Sequence, residues 1–255
     1  MNPQLTQEDR DLWIRRYHQA REGAVQLVCF PHAGGSASFY FPVSAQLAPN
    51  VDVSAVQYPG RQDRRAEPCV DSIQKLADLV AEAVRPLAER PLAFFGHSMG
   101  AMVAYEVALR LEADGAPALT RLFVSGRRAP STYREERVHE RDDNGVIAEL
   151  QQLSGTESDL LDDPEVLEMI LPAVRSDYAA VERYRHEPGR VVSCPVVALI
   201  GDQDDKVTTD EARAWAGHTS GTFDLRVHPG GHFYLVDRSR DVMDFVGEQL
   251  TAVGS

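Results

Sequence analysis

The sequence predicts an α/β fold in which a mostly parallel sheet lies buried between helices on both faces. Two observations point there. Short, largely apolar runs alternate along the chain with stretches of helical spacing. Strands with one wet face would alternate polar and apolar residues, so runs this uniform belong to a sheet covered on both sides. The chain has 255 residues, 43% hydrophobic and 25% charged, which suits one large domain over 1–255 that carries an insertion.

The first apolar run is Val25–Phe30, followed by a Gly/Ser-rich loop, His32–Ser38. The second, Val51–Tyr58, ends at Pro59-Gly60. Between Ser72 and Leu87, the residues Ile73, Leu76, Leu79, Val80, Ala83 and Val84 fall on helical spacing. Pro91–Phe95 is the third run, and Ala101–Leu111 reads as a helix. Leu122–Val124, Val196–Ile200 and Phe223–Val227 are the fourth to sixth runs, and Asp241–Leu250 closes the chain as an amphipathic helix. Parallel strands joined this way need right-handed crossovers, and function gathers at their carboxyl ends.

One stretch breaks the alternation. About seventy residues, Ser125 to Pro195, separate the fourth and fifth runs, where a crossover needs only about a dozen. Val146, Ile147, Leu150 and Leu153 share one helical face. A second helix is expected from Pro164, capped by Asp162 or Asp163. Pro172 is expected to kink or end it, while Val174, Tyr178 and Val181 continue the stripe. Residues 130–185 are therefore expected to form an inserted helical lid, the alternative being a helical elaboration with no gating role.

Composition narrows the function. A net charge of −13 argues against nucleic acid as a partner. The longest apolar runs are far too short to span a bilayer, and Met1–Arg16 lacks the apolar core of a signal peptide. A cytoplasmic monomer is expected. Cys29, Cys69 and Cys194 are odd in number and widely spaced, with no metal-ligand pattern, so buried thiols are expected at Cys29 and Cys194.

Gly96-His97-Ser98-Met99-Gly100 fits G-x-S-x-G. The pattern alone is weak, but it directly follows an apolar run and directly precedes a helix. That is the strand–turn–helix setting of the nucleophile elbow of α/β-hydrolases, which makes Ser98 the candidate nucleophile. His97 is expected to pack on the sheet beside the elbow. A serine hydroxyl needs a base, and in this fold the acid and then the histidine follow the serine along the chain. His232, in the Gly-rich loop Pro229–Phe233, is the candidate base, with His228 as alternative and His218 assigned to the surface. Asp204, after the fifth run, is the candidate acid, in competition with Asp202 and Asp205. The loop after the fourth run offers Arg127 and Arg128 but no carboxylate. The oxyanion hole needs two backbone N–H groups. Met99 and Ala33 are the candidates, with His32 the alternative to Ala33.

Five segments together resemble a known family: Pro31–Gly35, Tyr58–Arg61, Gly96–Gly100, Gly201–Asp204 and Gly230–Phe233. Their order and type are similar to those of type II thioesterases, editing enzymes of polyketide and nonribosomal peptide assembly, and within that family the chain resembles members from prodiginine-type pathways. The resemblance runs from about Gln26 to Phe245. It implies a Ser98–Asp204–His232 triad, a helical lid and an acyl substrate on the phosphopantetheine arm of an acyl carrier protein, with no metal or cofactor. Carrier proteins of that kind are acidic, so Arg61, Arg64 and Arg65, with Arg127, Arg128 and nearby Arg134, become candidate docking residues; their alternative is solvated loop arginines. The rival activities are an esterase or lipase acting on oxygen esters, an acyltransferase on the same fold, and a non-catalytic binding module.

Overall fold

The computed structural model describes residues 6–154 and 163–251. Its sheet has seven strands: β1 (Ile14–Arg16), β2 (Val25–Phe30), β3 (Val51–Val56), β4 (Leu92–His97), β5 (Arg121–Ser125), β6 (Val196–Gly201) and β7 (Phe223–His228), in spatial order β1-β3-β2-β4-β5-β6-β7. Every pairing is parallel except that of β1 with β3. The six apolar runs are the six parallel strands. β1 went unseen in the sequence because Ile14-Arg15-Arg16 is three residues long and mostly charged. It follows a short helix, α1 (Gln7–Trp13), opened by a Thr6–Asp9 capping box.

The remaining helices are α2 (Phe41–Leu47), α3 (Ile73–Val84), α4 (Met99–Ala113), α5 (Asp143–Ser154), α6 (Pro164–Arg183), α7 (Thr209–Arg213), α8 (Tyr234–Asp237) and α9 (Ser239–Thr251). Two apolar clusters, one on each side of the sheet, hold the layers together. The larger joins α3 and α4 to Val28, Phe94, Leu122 and Val196; the other joins α2 and α9 to Leu27, Phe95, Phe123 and Val197. Alternate residues of one strand thus enter opposite clusters, as the period of two requires. The helix α4 has no polar face: every residue from Met99 to Leu109 is buried, glutamate 106 included. A helix apolar all round belongs inside the protein, and this one leads straight from the predicted elbow.

Between β5 and β6, α5 and α6 leave the sheet and form a cluster of their own around Val138, Val146, Leu171 and Val174. The predicted cap at Asp163 is present, its side chain accepting from the Glu165 amide at 2.9 Å, whereas Asp162 lies outside the described residues. Pro172 neither ends nor splits α6, which continues to Arg183. The ring is exposed while Leu171, Ala173 and Val174 are buried. The carbonyl that proline leaves without an N–H partner therefore sits on the wet side, and the packed face carries the helix through. Cys29 and Cys194 are buried free thiols, as expected, and Cys69 is half-buried. No helix among the described residues is long and apolar enough to cross a membrane.

Candidate active site

Ser98 sits between β4 and α4 with φ 53° and ψ −116°, a backbone conformation that non-glycine residues avoid. Its amide donates to the Ser125 carbonyl of β5 at 2.8 Å, which pins the turn to the neighbouring strand. The flanking glycines are sterically required. A Cβ on Gly96 would stand 2.3 Å from the Gly100 carbonyl oxygen, and one on Gly100 would stand 1.9 Å from that of Phe30. Strand and helix can approach this closely only without side chains, which is the physical content of the elbow.

His232 and Asp204 come from the loops after β7 and β6, and the backbone holds these loops together. The amides of Asp202 and Gln203 donate to the carbonyls of His228 and Gly230 at 2.8 and 2.9 Å. His232 Nδ1 lies 2.9 Å from Asp204 Oδ2 and 3.1 Å from Oδ1, and the Asp204 side chain is wholly buried. The amide of Lys206 donates to Asp204 Oδ1 at 2.9 Å, fixing the carboxylate from its other side. The competing aspartates do other work. Asp202 accepts from the Gly230 amide at 2.9 Å, and Asp205 accepts from the Gln152 side chain at 2.8 Å.

Ser98, Met99, Ala33 and His232 line one cleft of about 40 Å³, together with Leu153 of α5 and Tyr178 and Val181 of α6. Four of the cleft residues, Arg127, Arg128, Val181 and Glu182, also line an adjoining cavity of about 450 Å³. The nucleophile, base, acid and oxyanion candidates therefore meet at the carboxyl ends of β2, β4, β6 and β7, beneath α5 and α6.

His97 packs under the site as expected. It is wholly buried, with Nδ1 3.0 Å from Ser125 Oγ, and that hydroxyl lies 2.8 Å from the Tyr234 hydroxyl. Burial drives the pKa of His97 well below its ordinary value, with His232 and His32 adding to the effect. His32 is held down to about 3, again first by burial and then by His232 and Arg61. The only imidazole of the three bonded to a carboxylate is that of His232. His228 points away, stacked on Tyr234 with ring centroids 5.2 Å apart. His218 is not a surface residue: it is 3% exposed and bonds Ser131 Oγ at 2.8 Å, because the polar loop that carries it folds back over Tyr105 and Trp215.

Most of the candidate docking arginines are unavailable to a partner. Arg61 is buried in a two-armed ion pair with Asp177 of α6, at 2.7 and 2.9 Å. Burial works against its charge, but Asp177 outweighs burial and holds the guanidinium pKa above its usual value. Arg64 is 4% exposed, lies over the Trp13 ring and pairs with Glu67. Arg128, also 4% exposed, is paired with Glu136, and Arg134 is taken up by Glu211 at 2.7 Å. Arg127 faces the two cavities with no ion pair among the described residues, its Nε buried and unpartnered. Only Arg65 is exposed. Runs of arginine in a sequence do not show which are spent inside the fold.

The model of the thioesterase domain family matches residues 25–250, nearly the whole chain. The chain belongs to the thioesterase family. The thioesterase is 55% identical to a probable cadicidin biosynthesis thioesterase of Streptomyces griseus over 93% of its own length and 66% of that relative's. It is 51% identical to the thioesterase PikA5 of Streptomyces venezuelae, over 95% and 86% of the two chains. Among solved structures it is similar to the type II thioesterase BorB of the borrelidin cluster, with 49% identity, TM-score 0.89 and coverage of 94% and 98%. RedJ, from the prodiginine pathway of Streptomyces coelicolor, is more distant at 36% identity and TM-score 0.85, covering 91% and 93%. The resemblance to type II thioesterases therefore holds, and the prodiginine enzyme is one relative among several.

Proposed function

We propose that this thioesterase removes acyl groups from the phosphopantetheine arm of acyl carrier proteins in polyketide or nonribosomal peptide assembly, freeing carriers that hold wrong or stalled units. One observation carries the mechanism: an imidazole tied to a buried carboxylate shares a cleft with a serine on a strained elbow. In this reading Ser98 Oγ attacks the thioester carbonyl and passes its proton to His232 Nε2. Asp204 holds the ring in the tautomer that can accept it and stabilises the resulting positive charge. The amides of Ala33 and Met99 carry no hydrogen bond among the described residues and receive the oxyanion. The C–S bond then breaks, and the leaving sulfur takes the proton from His232. Water attacks the acyl-enzyme by the same route, releasing the acid and restoring Ser98.

In this reading α5 and α6 act as a helical cover within the single domain, while 155–162 of the expected lid 130–185 lie outside the described residues. Supporting this, α5 and α6 supply cleft residues while standing outside the sheet. The adjoining cavity gives space for the acyl chain or for the arm. The test is turnover of a panel of acyl-carrier proteins of graded chain length, beside matched oxygen esters and a search for acyl-transfer products. Ser98→Ala should abolish hydrolysis with the fold intact, and a fluorophosphonate should label Ser98. Faster turnover of the oxygen esters, or an unlabelled Ser98, would overturn the proposal.

A further inference from the structure

Among the described residues, Asp177 is the most deeply buried carboxylate that the proposed catalytic groups do not use. Asp177, the fourteenth of the twenty residues of α6, is 1% exposed. A lone buried aspartate is costly unless its oxygens are fully engaged. Here the partners are the loop that carries Ala33 and Arg61 of the loop after β3. Asp177 Oδ2 accepts from the Gly34 amide at 2.8 Å and from Arg61 Nη1 at 2.7 Å, and Oδ1 accepts from Arg61 Nη2 at 2.9 Å. Arg61 Nη1 in turn donates to the Gly35 carbonyl at 3.0 Å. The amide of one residue and the carbonyl of the next are thus gripped by two mutually paired side chains.

Contact reinforces the grip. Gly34 has φ +75°, and a Cβ there would stand 2.7 Å from Val174 Cγ2. Val174 is one turn before Asp177 on α6, so the helix rests directly on this loop. An oxyanion donor must be held where charge develops, and a shift of about 1 Å can cost on the order of a hundredfold in rate.

We propose that Asp177 is a positioning residue, which sets the Ala33 amide for the oxyanion by clamping Gly34 from the inserted helix α6. The inference rests on the reading of Ala33 as an oxyanion donor. It adds a constraint on the cover: the part of α6 around Asp177 stays seated during catalysis, because lifting it would disassemble the oxyanion site.

The test uses Arg61→Met/Asp177→Leu, which removes both charges and leaves neither one buried alone, and Asp177→Asn, which keeps an oxygen for the Gly34 amide. Each is measured for kcat and KM on an acyl-pantetheine thioester and for affinity toward a trifluoromethyl ketone, whose adduct places an oxyanion in the site. The double variant should lose ten- to a hundredfold in kcat with KM within about twofold. Its affinity for the ketone should fall by the same factor. Asp177→Asn should recover most of both. A folded double variant with wild-type kcat, or a kcat loss without loss of ketone affinity, overturns the inference. If the double variant does not fold, Asp177→Asn decides alone: a kcat loss unmatched in ketone affinity overturns it. Wild-type protein that neither hydrolyses the thioester nor binds the ketone would instead sink the hydrolase reading beneath it.

Discussion

The Asp204 carboxylate reaches His232 Nδ1 with both oxygens, at 2.9 and 3.1 Å, from a side chain with no exposed surface. An acceptor at Nδ1 makes that nitrogen the donor and leaves Nε2 free to take a proton. Asp204→Asn replaces an obligate acceptor by a group that can present N–H, which stabilises the wrong tautomer. The expected result is a kcat lower by about 10³–10⁴ with the fold retained. Steady-state turnover of an acyl thioester checks it, and a loss below tenfold would remove Asp204 from its assigned role.

Ser98 stores backbone strain, and glycine can release it. A non-glycine residue at such angles costs about 1–3 kcal/mol. Ser98→Gly should therefore raise stability by about 1 kcal/mol while hydrolysis falls to background. Ser98→Ala should be equally inactive without the gain. Urea midpoints of the three proteins make the comparison, and equal stability of the glycine and alanine variants would contradict it.

His32 and His97 stay neutral in the fold because burial lowers their pKa values, that of His32 to about 3. Below about pH 6.5 the unfolded chain protonates both rings and the folded chain does not. Stability is thus full above that pH and falls as pH drops toward 3, by at most about 1.4 kcal/mol per unit and group. Melting temperatures between pH 7 and pH 5 should decline, and His32→Gln should flatten the slope. An unchanged slope in that variant would show that other groups govern acid sensitivity.

Arg127 and Arg128 are neighbours with opposite expected effects. Burial, with Arg128 adding, pushes the pKa of Arg127 down to about 9, and its guanidinium has no ion pair among the described residues. Its charge costs stability at neutral pH, a cost relieved only as pH rises above about 9. Arg127→Met should stabilise the protein by about 1–3 kcal/mol, whereas Arg128→Met strands Glu136 and should destabilise it by a similar or larger amount. Chemical denaturation at pH 7 tests the pair, and destabilisation by Arg127→Met would mean that its charge is compensated.

Gly100→Ala should be among the most damaging single changes. Its new methyl would meet a backbone oxygen at 1.9 Å, an obstacle that cannot rotate away. A loss on the order of 3 kcal/mol or more, or failure to fold, is expected. Gly217→Ala meets nothing within 4 Å and should stay within about 0.5 kcal/mol of wild type. Denaturation midpoints for the two variants provide the check.

The parts of this molecule legible in its sequence are those with a local signature. Five of the parallel strands, β2 to β6, show as mostly apolar runs because both their faces are buried, while the edge strand β7 alternates with exposed Asp224 and Arg226. The elbow shows because two glycines must flank Ser98, and His232 because its loop is rich in glycine. What escaped has no local signature. The strand β1 is too short and charged to stand out. Asp177 looks like any polar residue on an amphipathic helix; its partner at position 34 lies 143 residues away. The burial of Arg61, Arg64 and Arg128 is hidden in the sequence for the same reason, since a charge run reads alike whether it faces water or, as at Arg61, a buried carboxylate.

The two inserted helices are tied to different loops of the body. Asp177 of α6 grips the loop after β2, while Glu149 of α5 pairs with Lys206, whose amide holds Asp204. Exchanging residues 130–185 for the corresponding segment of another enzyme, as a route to altered acyl-length preference, would sever both ties unless positions 61 and 206 travel with the graft. Chimeras that carry those two positions should retain turnover, and those that swap the segment alone should be slow for reasons unrelated to the shape of the acyl pocket.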